Sequence, residues 1–164
     1  MTLSWDLFVI LVFVVMGVYG FLIGKSRVFG IIMSAYVGLT IATQLGSYAF
    51  DYLSKITEIS HSFNVTMFGA KLFVFVLVIF ILMLNKELTG GGESSSSSFV
   101  TAIYGVLAAG LILSSVLSFM GYSERMLVFS ASPTAIQVYN YQMIWLIAPI
   151  AMAITVTLWN KFRH

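Results

Sequence analysis

The sequence has no cysteine among its 164 residues, and charged residues are scarce. The absence of cysteine excludes disulfide bonds, thiolate metal sites and cysteine nucleophiles. Only 9% of the residues are charged, whereas a soluble domain carries about 25%. So few charges cannot supply the wetted surface of a soluble fold. The apolar surplus, with 60% of the residues hydrophobic and a mean hydropathy of +1.01, must therefore face lipid.

The net charge of +2 is small, and the positive residues are scattered along the chain. Nucleic acid is therefore not an expected partner, because its binding requires a concentrated basic surface. The N-terminal apolar run lacks the basic start and the cleavage site of a signal peptide, so we expect a retained helix. The length suits one domain, and we predict a single membrane domain over residues 1–164.

Long apolar runs indicate transmembrane helices, because a bilayer core of about 30 Å requires about 20 apolar residues per spanning helix. The runs are too long for the strands of a β-barrel and do not alternate in character. The predicted fold class is therefore all-α, a polytopic membrane helix bundle of about five transmembrane helices with one short interfacial helix. The predicted spans are 5–24, 28–50, 65–84, 99–120 and 141–159.

Three connections between these spans differ in character. Residues 51–64 are polar but carry apolar side chains at helical spacing, which predicts either the interfacial helix or an extension of the second span. Residues 89–98 have the glycine and serine composition of a flexible linker. Within Gly121–Asn140, Ser132-Pro133-Thr134 indicates a turn or the start of a helix, so a partly buried or re-entrant loop is one alternative.

The placement of lysine and arginine indicates the orientation, because these residues are more frequent in cytoplasmic loops. An outside N-terminus leaves five basic residues on the cytoplasmic side and three on the outer side. We therefore expect the N-terminus outside and the C-terminus in the cytoplasm. The cytoplasmic set is Lys25, Arg27, Lys86, Lys161 and Arg163, and the outer set is Lys55, Lys71 and Arg125.

Small residues recur at every fourth position of the second span and form a ridge along one helix face. They permit close contact between helices, which matters in lipid because the hydrophobic effect does little to associate helices there. The short basic turn after the first span predicts that the first two helices pack side by side. The ridge predicts helix packing, with a narrow pathway or a homo-oligomer contact as the functional alternative. The packing residues are Gly17, Gly20 and Gly24 in the first span, Gly30, Ser34, Gly38, Ala42 and Gly46 in the second, and Gly105 in the fourth.

Lys71 is the ionisable residue that lies most clearly inside a span. A charge at membrane depth is costly, so such a residue calls for a functional hypothesis. The simpler alternative is that its aliphatic stem reaches the interface and places the ammonium group in water. In the predicted topology, Asp6, Gln44 and Asp51 lie toward the same outer side. We predict a polar cluster in which Lys71 pairs with Asp6 or Asp51.

Pro149 lies within the last span and removes one backbone hydrogen bond, which predicts a kink near Trp145 and Leu146. Enzyme motifs are missing from the sequence. The two histidines, His61 and His164, lie outside the predicted spans, and there is neither a nucleophile elbow nor a phosphate-binding glycine loop. We therefore expect no catalytic residue, no metal ligand and no cofactor.

The segment Trp5–Lys25 resembles the start of the colicin V production protein family. It opens with Trp-Asp and an apolar run, and it ends in a glycine-rich stretch. The family comprises small multi-helix inner-membrane proteins with a glycine-containing loop before a later glycine-rich helix, and Gly90–Gly92 and Gly105 fall in those places here. A serine run replaces the family's Asp-Arg pair, and residues 99–120 lack its arginine near the start of the fourth helix.

The resemblance implies envelope maintenance or an accessory part in secretion, without an accepted chemistry. The leading prediction is a non-enzymatic scaffold or accessory protein of the bacterial cytoplasmic membrane. Its expected partners are the lipid bilayer and a homo-oligomer or other membrane proteins. The alternative prediction is a small transporter or channel subunit whose polar cluster around Lys71 handles a solute or an ion.

Overall fold

The computed structural model describes residues 5–60, 66–84 and 98–162. Over these ranges every regular element is an α-helix, which confirms the predicted all-α class. The predicted linker 89–98 lies outside the described residues except for Ser98, and so do residues 61–64. The helices are α1 (Trp5–Ile23), α2 (Lys25–Ser60), α3 (Met67–Leu84), α4 (Ser98–Phe119), α5 (Tyr122–Ala131), α6 (Pro133–Asn140) and α7 (Gln142–Phe162).

Four of these helices are long and apolar enough to cross a membrane, namely α1, α2, α3 and α4. A fifth crossing results if α6 and α7 form one span, because Pro133–Asn140 and Gln142–Leu158 meet the same requirement together across a bend of 58°. The structure is thus compatible with a multi-pass membrane protein of four or five crossings. The turn at Tyr141 separates the two halves of the last crossing.

Helix α4 forms the centre of the bundle. Its apolar window is 61% buried inside the protein, whereas those of α1 and α3 are each 11% buried. Helix α4 packs against α1, α2 and α7, and α2 packs along α3. Small residues explain this central position, because Gly105, Ala108, Ala109 and Gly110 are buried and let the neighbouring helices approach closely.

The core consists of two clusters of buried side chains. The first joins α2, α3 and α4 around Ile32, Phe75 and Tyr104. The second joins α1 and α4 to the short helices α5 and α6, around Leu117 and Val138. The connection 121–140 is therefore not irregular, because α5 and α6 close one end of the bundle and Ser132 starts α6 as its sequence predicted.

Large apolar side chains cover the outward faces of the long helices. Such an extended apolar surface is incompatible with water and suits contact with lipid acyl chains. This exposure explains why the composition is so hydrophobic although much of the chain is not buried inside the protein. Representative exposed residues are Ile10, Val14 and Val18 on α1, Val76 and Phe80 on α3, and Ile147, Ile150 and Ile154 on α7.

The predicted side-by-side packing of the first two helices is wrong. Helix α1 packs mainly against α4, and it touches α2 little. The predicted three-residue turn after Gly24 is already part of α2, so Gly24 alone separates the two helices, at a φ of +90°. A single residue is shorter than the two to five residues that usually connect antiparallel helices, which explains the difference.

Helix α2 continues without a break through residues 51–60. Of the two alternatives for this segment, the structure therefore shows the extension of the second span as far as Ser60 and not a separate interfacial helix. The uninterrupted helix has 36 residues and is about 54 Å long at 1.5 Å per residue. It exceeds the bilayer core of about 30 Å, so it either tilts or projects beyond the membrane.

Candidate functional site

A cleft of about 330 Å³ lies between α2, α4 and α7, toward the end of the bundle where α4 ends and α7 begins. Its volume is near the lower limit of small-molecule sites. Most of the lining side chains are polar, and such a concentration of polar side chains is unusual in so apolar a chain. Among the described residues that line the cleft, none is charged. The lining residues are Thr40 and Thr43 with Leu39 on α2, Ser114, Ser115 and Ser118 on α4, and Gln142 with Leu146 on α7.

The polar residues reach well into the membrane-spanning part of the bundle. Thr40 lies at the middle of the α2 span Ser26–Lys55. Ser114 lies five residues before the end of α4 at Phe119, about 8 Å along the helix axis. The cleft therefore offers hydrogen-bonding groups at a depth where lipid offers none.

Each hydroxyl of the cleft donates its proton to a carbonyl oxygen of its own helix. The oxygen–oxygen distances lie between 2.7 and 3.1 Å. This arrangement lets a serine or threonine lie in an apolar helix without an unpaired proton. The carbonyl acceptors are those of Tyr36, Leu39 and Thr40 on α2 and of Leu111 and Ser115 on α4.

Gln142 differs from the hydroxyl residues because one end of its amide has no partner. Its Oε1 atom is buried and accepts no hydrogen bond within the described ranges. A buried acceptor left without a partner costs about 1–3 kcal/mol, so such groups usually contact a ligand, an ion or ordered water. Gln142 is the first residue of α7 and lies at the polar end of the cleft.

A hydrogen bond between α2 and α7 fixes the apolar end of the cleft. The Tyr36 hydroxyl donates to the backbone carbonyl of Leu146, one turn before Pro149. Proline lacks an N–H group, so Pro149 leaves the Trp145 carbonyl, four residues earlier, without its helical donor. The Tyr36 hydroxyl bonds the neighbouring carbonyl of the same turn. The kink predicted near Trp145 and Leu146 stays a prediction, and the structure shows this turn bonded to α2.

The predicted polar cluster around Lys71 is not formed. The stem of Lys71 lies against Gly46 of α2, where an added Cβ would meet Cε and Cδ at 3.3 and 3.4 Å. Gln44 and Asp51 are exposed, and no ion pair joins Lys71 to Asp6 or Asp51 in the part of the chain that the structure describes. The small residue at Gly46 thus accommodates a half-buried lysine stem, which fits the simpler alternative for Lys71.

Asp6 lies apart from Lys71 and holds the start of α6. Its Oδ1 atom accepts hydrogen bonds from the Ser132 hydroxyl at 2.5 Å and from the Thr134 backbone N–H at 3.1 Å. The Ser132 oxygen in turn accepts the Ala135 N–H at 3.0 Å, as an N-cap. The first helix thereby satisfies donors at the N-terminus of α6, which are otherwise unpaired in a helix.

Arg125 ties α5 to α6 at the same end of the bundle. Its guanidinium donates to the Tyr139 hydroxyl and to the Met120 carbonyl, the latter at 2.9 Å. It also lies 4.6 Å from the centre of the Tyr139 ring. These contacts assign Arg125 a structural part in α5 and α6, whereas the sequence suggested only a contribution to orientation.

Gly17, Gly20, Gly38, Gly46 and Gly105 lie at helix contacts as predicted, although the partners of those in the first helix differ from those expected. Gly24 is not a packing residue, because nothing lies within 4 Å of the place of an added Cβ and the residue serves as the connection between α1 and α2. An added Cβ at Gly20 would lie 2.5 Å from the Thr101 carbonyl of α4, and one at Gly105 would overlap the Met16 carbonyl of α1. At Gly38 it would meet Phe75 of α3 at 3.1 Å. The ridge of α2 therefore packs inside the bundle and includes a contact with α3. Its other buried members are Gly30, Ser34 and Ala42.

Sequence reasoning missed the cleft because it searched the spans for ionisable groups. Ser114, Ser118 and Gln142 carry no charge, and none of them is among the site residues predicted above. A usable signal was present in the neutral polar residues. Thr40 and Thr43 are three positions apart, and Ser118 follows Ser115 and Ser114 by three and four positions, so each set shares one helix face.

Within residues 5–60, 66–84 and 98–162, histidine, aspartate and glutamate side chains do not assemble in groups of three. His61 and His164 lie outside these ranges. Comparison of the sequence with known protein families and with characterised proteins, and of the structure with solved structures, gives no match.

Proposed function

We propose that this chain is a small transporter or channel subunit, in which the cleft between α2, α4 and α7 takes up a small polar solute or an ion. The observation that supports the proposal is the convergence of neutral polar side chains from three helices on one space of about 330 Å³. This differs from the predicted site around Lys71, which forms no ion pair with Asp6 or Asp51 within the described residues.

A structural explanation accounts for the individual hydroxyls but less well for the cleft as a whole. A serine bonded to its own helix is tolerated anywhere in a membrane span. Packing alone, however, gives no reason to leave the Gln142 acceptor buried without a partner beside an unfilled space. Polar groups at membrane depth that face a cavity are typical of solute and ion pathways.

The proposed location is the bacterial cytoplasmic membrane, with the N-terminus outside and the C-terminus in the cytoplasm. The distribution of lysine and arginine supports the orientation. The resemblance of Trp5–Lys25 to the colicin V production protein family supports the type of membrane. A homo-oligomer is part of the proposal, because the cleft is open on one side and a second copy would enclose it.

Solute uptake by reconstituted protein tests the proposal. Liposomes that contain the full chain should take up small polar solutes or salts faster than empty liposomes, as measured by stopped-flow light scattering. Thr43→Val keeps the side-chain shape but removes a cleft hydroxyl, and it should slow uptake. Thr155→Val is the matched control, because Thr155 is exposed on α7 and donates to Ala151 at 2.8 Å outside the cleft.

Uptake equal to that of empty liposomes in well-reconstituted samples would contradict the transport function. If uptake were present but Thr43→Val and Thr155→Val behaved alike, the assignment of the pathway to the cleft would be contradicted.

A scaffold or secretion-accessory function is the second candidate, and the length of α2 favours it. The helix is longer than a bilayer requires, and near its end Tyr48 and Tyr52 are 72% and 70% exposed. Such a projecting aromatic segment would suit contact with another membrane protein. A photo-crosslinking residue at Tyr52 should then capture a specific protein that the same residue at lipid-facing Phe80 does not. Failure to recover one would count against this candidate.

A further inference from the structure

The direction of the hydrogen bonds in the cleft indicates which ligands it accepts. All five hydroxyl protons are donated to backbone carbonyls of the same helix. A hydroxyl has one proton and two lone pairs. The oxygens of Thr40, Thr43, Ser114, Ser115 and Ser118 therefore have lone pairs available for a ligand, and no proton.

Gln142 adds to this excess of acceptors. Its buried Oε1 lacks a partner within the described residues, and among the lining side chains described its amide alone carries N–H donors. The ends of two helices also face this region, but they oppose each other. The C-terminal end of α4 contributes negative potential, and the N-terminal end of α7 contributes positive potential. The side-chain oxygens therefore decide the sign, and they favour a positively charged ligand over an anion.

The absence of charge in the lining indicates how much charge the ligand carries. Among the residues that the structure describes, none of those lining the cleft is acidic or basic. Protein sites for Ca²⁺ and Mg²⁺ generally use carboxylates, because neutral oxygens do not offset the cost of dehydrating a divalent ion. Rings of neutral oxygens do suffice for alkali-metal ions. Lys71 does not line the cleft, since its stem lies on Gly46.

The size of the cleft sets the expected selectivity. Its volume of about 330 Å³ is far greater than the roughly 30 Å³ that one water molecule occupies in the liquid. An ion would therefore keep part of its hydration shell, with water between the ion and some of the oxygens. Selectivity should then follow the sign of the charge more than the size of the ion.

We propose that the cleft binds a singly charged cation, an alkali-metal ion or ammonium, held partly hydrated by the hydroxyl oxygens of α2 and α4 and by Oε1 of Gln142. This inference rests on the proposed function, because it names the ligand class of the same cleft. It excludes anions, and it predicts that Na⁺ and K⁺ bind with similar affinity.

Thermal unfolding of the full chain in nanodiscs tests the inference. Samples contain KCl, NaCl or NH₄Cl, with N-methylglucamine chloride at equal ionic strength as the reference. The three small cations should raise the unfolding temperature with saturation, because they bind only the folded state. In Ser115→Ala the cleft loses one oxygen that would bind the cation directly or through its water, and the apparent affinity should fall about tenfold, which corresponds to about 1.4 kcal/mol. Thr155→Val should retain the wild-type affinity.

Each other outcome has a definite meaning. A saturable effect of small cations that is the same in Ser115→Ala and in the wild type would place binding elsewhere and overturn the inference. Stabilisation by N-methylglucamine chloride or nitrate relative to N-methylglucamine sulfate of equal ionic strength, or by neutral formamide without any cation effect, would overturn the cation preference and leave the proposed transport function standing. If no solute stabilises the protein and reconstituted liposomes show no uptake, both proposals fail.

Discussion

Gly105 of α4 lies at a close contact with α1. Backbone atoms of α1 occupy the place where a Cβ at position 105 would lie. An added Cβ at Gly105 would overlap the Met16 carbonyl, which cannot move without shifting α1. Gly105→Ala should therefore destabilise the bundle by about 1–3 kcal/mol, the usual cost of overpacking. Thermal or denaturant unfolding in nanodiscs measures the change.

The control for Gly105 lies in the same interface. An added Cβ at Gly17 would meet a methyl group of Val106 at 3.4 Å, which is an ordinary contact. Gly17→Ala should leave the unfolding free energy nearly unchanged or raise it slightly, because alanine also favours the helix. Equal destabilisation by the two substitutions would contradict the described packing of α1 on α4.

Gln142 separates a functional from a structural account of the cleft. Gln142→Leu replaces a buried acceptor without a partner by an apolar side chain of similar size, so it should raise the unfolding temperature. The same substitution should slow solute uptake, because the cleft loses its amide. Stability and activity would then change in opposite directions, as expected for residues retained for function.

Gln137→Leu is the matched comparison, since Gln137 is exposed on α6 and does not line the cleft. It should change neither stability nor uptake appreciably. A loss of stability in Gln142→Leu would contradict the account of this residue.

At the scale of the helix, the N-terminus of α6 is stabilised by its N-cap residue, Ser132. Ser132 is fully buried, caps Ala135 and donates to Asp6 of α1. Ser132→Ala should lower the unfolding free energy by about 0.5–2 kcal/mol, the usual cost of losing an N-cap. Denaturant unfolding measures it, and Ser130→Ala, an exposed serine of α5 that bonds Leu127, should have little effect.

The outcome for Ser132 is informative in either direction. If Ser130→Ala and Ser132→Ala had the same effect, the bond between Asp6 and α6 would contribute nothing measurable to the stability of the bundle.

The sequence was sufficient to predict the long apolar helices, but neither the two short helices within 121–140 nor which helices are neighbours. Length and hydropathy identified the apolar runs, because a membrane requires both. The neighbour of α1 could not be predicted from residue size. Gly17 and Gly20 could pack equally well against the small-residue ridge of α2 or against Gly105 of α4. The single-residue connection at Gly24 decides between them, and its φ of +90° is a property of the folded chain.

The candidate site could be predicted less well, for a related reason. Ionisable residues are conspicuous in an apolar chain, so Lys71, Asp6 and Asp51 attracted attention. Their actual partners depend on tertiary packing. Asp6 accepts a hydrogen bond from Ser132 at the start of α6, and the stem of Lys71 packs against Gly46. The hydroxyls of α2 and α4 were visible in the sequence. Their convergence with Gln142 required the arrangement of three helices.

At the scale of the whole molecule, two kinds of surface distinguish the bundle. The outward faces of α1, α3 and α7 are apolar and suit lipid, whereas the cleft between α2, α4 and α7 is polar and uncharged. The central claim is that this cleft contains water and admits solutes in the membrane. Because the chain has no cysteine, a single introduced thiol reports its surroundings without any background reaction.

The most direct measurement compares the labelling rates of Thr43→Cys and Ser115→Cys with that of Val76→Cys, in membranes treated with a charged, membrane-impermeant thiol reagent. Val76 is 56% exposed on α3 and faces lipid, where a thiol does not ionise and stays unreactive. The account predicts rapid labelling at both cleft positions and almost none at Val76. Labelling of Thr43→Cys and Ser115→Cys as slow as that of Val76→Cys would contradict it.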